Sequence, residues 1–124
     1  MRRRTERRDI EFHGTPGGAL ERTVTLPDGR QYAQRCSEEV FRKVAEYLDE
    51  HTGLLTMNEV ADAIDAPLTQ TNVAIELLKE RCMLIPADGR RSRVADGYRD
   101  AFFEHAMTEF YALIEGHPPE MSPE

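Results

Sequence analysis

Polar and apolar positions along this chain switch between two periods. From Asp9 to His13 they alternate, with Ile10 and Phe12 on one side, which predicts a short strand. Gly14 to Gly18, GTPGG, is a break. Alternation resumes in ERTVTLPDGRQYAQR, where Val24 and Leu26 alternate with Thr23 and Thr25. Pro27-Asp28-Gly29 supplies the turn, so 21–35 reads as a β-hairpin. It is either a strand pair packed on the core or an edge for docking a protein.

The period then lengthens to that of a helix. Val40, Val44, Tyr47 and Leu48 fall at i, i+4, i+7 and i+8, and Phe41 and Ala45 widen the stripe. Ser37 is placed to cap this first helix, Glu38 and Glu39 suit its positive end, and Gly53 is the expected stop. Thr56-Met57-Asn58-Glu59 has the spacing of a capping box. Met57, Val60, Ala61 and Ile64 then give a second helix one apolar face, and Pro67 ends it. Thr69 is the expected cap of a third helix over 70–83. Leu84-Ile85 and Arg93-Val94, joined by Asp88-Gly89, predict a second hairpin. A long helix follows over 98–115, with Phe103, Met107, Phe110 and Ile114 in one line and Phe102, Ala106 and Leu113 beside it.

These elements predict an α+β chain, mainly helical. It comprises a basic arm 1–8, a strand and hairpin over 9–36, a helical core with a hairpin over 37–96, a C-terminal helix over 97–116, and a tail 117–124. The arm and tail are expected to be disordered. At 124 residues one domain is expected. A hydrophobic content of 40% with no apolar run near the roughly 18 residues that span a bilayer points to a soluble chain, no membrane association and the cytoplasm.

Charge adds an asymmetry. The chain is −7 overall, yet Arg2, Arg3, Arg4, Arg7 and Arg8 stand against Glu6 alone in the first eight positions. An acidic body argues against indiscriminate nucleic-acid binding, whereas a basic arm can still grip a polyanion.

The stretch LTMNEVADAIDAPLTQTNVAIELLKERCMLI, followed by ADGRRSRV, resembles the winged helix-turn-helix superfamily, as in MarR-like and PadR-like bacterial regulators. The resemblance covers about 37–94 and implies a winged helix-turn-helix core, DNA binding and transcription regulation. It also implies a homodimer formed through the last helix. Two features depart from it: Cys82 stands where the family commonly has glycine, and the N-terminal hairpin matches no common subtype.

On this reading Gln70, Thr71 and Asn72 reach base edges of double-stranded DNA, Lys79 faces DNA on the same outward arc, and Arg90, Arg91 and Arg93, with the Arg2–Arg8 arm, hold phosphates. Glu76 works against them. Phe102, Phe103, Ala106, Met107, Phe110, Leu113 and Ile114 form the dimer interface, because one small domain does not easily cover so wide a stripe; the alternative is that the stripe folds back on the first helix and the N-terminal hairpin. The alternative is a non-catalytic protein-interaction module docking through the N-terminal hairpin or the last helix. A ligand- or redox-responsive sensor with a pocket beside the last helix is a further alternative.

No P-loop, GxGxxG or HExxH motif is present. Cys36 and Cys82 match no metal or redox spacing. His105 and Glu109, at i and i+4, are expected to be a solvated pair. No enzyme, cofactor or metal is expected.

Overall fold

The computed structural model describes residues 9–51 and 53–116. The arm 1–8 and the tail 117–124 lie outside these residues.

The alternating segments form one antiparallel sheet of three strands, β1 (Asp9–Gly14), β2 (Leu20–Thr25) and β3 (Gln31–Cys36), in the order β1-β2-β3. GTPGG is a second hairpin turn rather than a break. The Thr15 amide donates to the Ala19 carbonyl at 2.8 Å, and Gly18 donates to the Thr15 carbonyl at 2.9 Å with a φ of 88°. Register places three rows on one face: Gly14-Leu20-Cys36, Phe12-Arg22-Gln34 and Ile10-Val24-Tyr32. Leu20, Val24 and Cys36 are buried there. Arg22 lies between them, 7% exposed, hydrogen-bonded to Gln34, with its Nε lacking a partner. The opposite face is polar, and Glu21 there accepts from Arg35 at 2.9 Å and is bonded to His13 at 2.8 Å.

The helices are α1 (Glu38–Glu50), α2 (Met57–Ile64), α3 (Leu68–Glu80) and α4 (Phe102–Glu115). Ser37 caps α1 by accepting from the Val40 amide, as its sequence position suggests. The stop differs: α1 ends before Gly53, where the His51 ring stacks on Tyr47 and its Nδ1 lies 2.9 Å from the Tyr47 carbonyl. Both halves of the capping box are formed at α2, whose C-cap Asp65 adopts a left-handed φ of 56°.

α3 begins and ends earlier than the sequence suggests. Pro67 stands at its N-cap, and Thr69 lies inside the first turn rather than capping it. Proline has no amide to lose at a helix start and its φ is already helical, so the helix begins directly after it. At the other end the Cys82 amide donates to the Lys79 carbonyl and the Met83 amide to the Leu78 carbonyl, both at 2.9 Å. This is a Schellman closure with Met83 and Leu78 both buried. It requires a left-handed residue, and Cys82 takes that role with a φ of 63°.

β4 (Leu84–Pro86) pairs with β5 (Ser92–Val94), and Leu55 adds a one-residue bridge to Ser92 through two backbone bonds of 2.8 Å. A 3-10 turn, Asp96–Tyr98, followed by a bend and turn over 99–101, takes the place of the first part of the expected long helix. The α4 helix therefore starts at Phe102, with the Phe103 amide donating to Asp49 of α1 at 3.1 Å.

α4 packs along α1 and against the sheet. Phe110 stacks on Phe41 with ring centroids 4.8 Å apart. Tyr111 donates to Glu38, and Arg42 donates to both, at 2.8 Å to the Tyr111 hydroxyl and 3.1 Å to Glu38. The Tyr111 bond, then that from Arg42, holds the Glu38 carboxyl below its usual value, and the same carboxylate raises Tyr111. The expectation that α4 leaves a wide uncovered stripe is corrected. Phe102, Ala106, Met107 and Phe110 are buried within the single chain, and Phe103, Leu113 and Ile114 are half-buried against the same core. The N-terminal sheet and α1 supply the cover that a smaller domain would lack.

Candidate binding surface around the third helix

The position of α3 in the fold decides what its side chains can reach. Starting the helix at Leu68 and advancing about 100° per residue puts Leu68, Thr69, Asn72, Glu76, Lys79 and Glu80 on one arc. All are exposed or half-exposed. Val73, Ala74, Leu77 and Leu78 lie on the opposite side and are buried.

Two of the three expected base readers fall on the buried side. Thr71 is fully buried, and its hydroxyl donates to the Pro67 carbonyl at 3.0 Å. Gln70 is half-buried and accepts from the Ser37 amide at 2.9 Å, tying the start of α3 to the start of α1. Asn72 alone of the three lies on the outward arc. Its neighbours there are Glu76 and Glu80, with Lys79 held 3.7 Å from Glu76.

The N-terminal sheet flanks this arc. Ile10 and Phe12 of β1 stand beside Glu76, Lys79 and Glu80 and enclose a cleft of about 280 Å³. A helix with a sheet beside its outer face has less room to enter a major groove about 12 Å wide.

Two of the three expected phosphate-holding arginines already pair within the chain. Arg91 makes a bidentate pair with Asp88 at 2.9 and 3.0 Å. Arg93 donates to Asp96 at 3.2 Å and to the Val94 carbonyl at 3.3 Å. Arg90 is exposed and, among the described residues, has no acidic partner within 4 Å.

Arg90 stands over a second opening. A cleft of about 410 Å³ is lined by Thr56, Met57, Asn58, Leu68, Lys79 and Arg90, at the start of α2, along α3 and at the β4-β5 hairpin. Thr56, Met57, Lys79 and Arg90 also border a cavity of about 30 Å³ floored by Val60, Ile75 and Leu84. Leu68 is 49% exposed at the rim. In the sequence the start of α2 reads only as a capping box, and Leu68 carries no site signal of its own. Pro67 was the available signal, since a helix beginning right after it presents Leu68 outward.

No protein-family profile, curated protein or solved structure matches the chain.

Cys36 is fully buried, and burial pushes its thiol up to about 12, which keeps it protonated and poorly nucleophilic. Cys82 is exposed. Among the described residues no group of three or more His, Cys, Asp or Glu could hold a metal ion. Among them, too, no helix is long and apolar enough to cross a membrane.

Proposed function

We propose that this chain is a non-catalytic protein-docking module built on a winged-helix arrangement. The order of three helices, a one-residue bridge at Leu55 and a terminal hairpin supports the arrangement. The observation that carries the docking role is the state of α3. Gln70 and Thr71 serve the fold, and the outward arc bears two glutamates against one lysine. Glutamates facing outward repel phosphates, and phosphate contacts supply most of the sequence-independent affinity for DNA. Fold alone does not assign a winged helix to DNA, because the same architecture hosts other roles.

This reading needs no two-fold assembly through α4. Its test is selection of duplexes from a random-sequence pool by the full chain over repeated rounds. The reading expects a final pool without a shared motif. A palindromic or single consensus emerging from the pool contradicts it.

A further inference from the structure

The cleft beneath Arg90 carries an inference that rests on the docking reading and goes beyond it. Nine of the cations in the described residues sit within 4 Å of a carboxylate: Arg30, Arg35, Arg42, Lys43, Lys79, Arg81, Arg91, Arg93 and Arg99. Arg22 is buried under the sheet. Arg90 is therefore, among these residues, the exposed cation left without an ion pair. It lines a cleft together with Met57, Leu68 and Lys79.

An otherwise acidic chain thus places an uncompensated positive charge next to exposed apolar surface. A smaller cavity that shares Thr56, Met57, Lys79 and Arg90 is lined in addition by the apolar Val60, Ile75 and Leu84. Exposed apolar surface beside a free cation suits a peptide: an apolar anchor fills a desolvated pocket while a charge beside it fixes orientation.

We propose that the cleft between α2, α3 and the β4-β5 hairpin docks a peptide segment of a partner protein. That segment carries one large apolar side chain flanked by carboxylates. The apolar side chain lies against Leu68 and Met57, and a carboxylate pairs with Arg90. Lys79, shared with Glu76, adds a weaker second contact.

The test selects peptides from a random dodecapeptide phage library on the immobilised full chain. Enriched peptides are then synthesised and titrated by fluorescence anisotropy. The result expected is enrichment of Asp or Glu beside Leu, Met or Phe. Affinity falls about tenfold or more in Arg90→Glu and in Leu68→Glu. It is unchanged in Arg30→Glu, at the β2-β3 turn outside the cleft lining. Both tested positions are exposed, and thermal melts of each variant verify that the fold is intact. A peptide with lysine in place of its carboxylate should bind Arg90→Glu more tightly than the unaltered chain, a reversal that loss of structure does not produce. Enriched peptides that bind all variants equally overturn this cleft while leaving the docking reading standing. Failure to enrich any peptide overturns the cleft. A duplex consensus recovered from the same chain would overturn the docking reading as well.

Discussion

The side chain of Gln70 accepts a hydrogen bond from the backbone amide of Ser37 at 2.9 Å. Thirty-three residues separate the two, so the bond fastens the N-terminus of α3 to that of α1. A residue used in this way is not available to a base edge without unfastening the fold. Replacing Gln70 by Ala should lower stability by about 0.5–1.5 kcal/mol, read as a shift in the urea midpoint. Retained stability together with a loss of sequence-specific DNA binding would reverse the assignment.

Gly14 meets α4 without room for a side chain. A Cβ there would lie 2.6 Å from both the Ile114 Cα and the Leu113 carbonyl oxygen. Those are backbone atoms, so the sheet and α4 must separate to admit a methyl group. Gly14→Ala should cost about 1–3 kcal/mol, the usual range for overpacking. Thermal denaturation measures it, and a melting temperature equal to that of the parent chain would show that α4 does not pack there.

Cys82 holds a conformation that suits glycine. Its φ of 63° closes α3 through the bonds from Cys82 to Lys79 and from Met83 to Leu78. An L-residue in the left-handed region costs roughly 1–2 kcal/mol, partly offset by the lower chain entropy of the unfolded state. Cys82→Gly should therefore raise stability by about 1 kcal/mol. Differential scanning calorimetry should show a higher melting temperature. A lower one would contradict the strain reading.

Much of this fold was legible because it is written locally. The Ser37 cap, the Thr56–Glu59 capping box and the turn at Pro27-Asp28-Gly29 each depend on residues close in sequence. All three form as their spacing suggests. The misplaced features depend on distant partners. Gln70 looked like a base reader because Ser37 is remote in sequence. The α4 stripe looked uncovered because neither the register of the sheet nor the Gly14 approach can be read from periodicity. Arg22 interrupts an apolar alternation and gave no sign that it lies buried between Phe12 and Gln34. At α3 a two-residue shift of the start mattered more than the element itself: with the helix beginning at Leu68, Gln70 and Thr71 are no longer its free first residues, and both lie on the inner side of the helix.

Acid should release one surface clamp. The hydrogen bond from Arg35, then that with His13, holds the Glu21 carboxyl below its usual 4.5, against a smaller opposing effect of burial. A carboxyl depressed in the folded state contributes stability that is fully present above 4.5. That contribution is lost as pH falls through the depressed folded value. Glu21→Gln should therefore narrow the stability gap between pH 7 and pH 3 relative to the parent chain. Urea titrations at the two pH values measure it, and an unchanged gap would remove Glu21 from the acid response.

The central claim is that α3 and the β4-β5 hairpin do not hold duplex DNA. It is tested most directly by titrating random-sequence duplex with the full chain and with the Arg90→Ala/Arg91→Ala/Arg93→Ala variant across a range of salt. If the hairpin arginines and Lys79 neutralised four phosphates, log K would fall with log salt at a slope of about −3.6. Removing three of them would bring it to about −0.9. The account predicts that parent and variant give the same affinity and the same slope, whatever the basic arm contributes to both. A parent that binds more tightly than the variant, with a slope steeper by about 2.7, would contradict it.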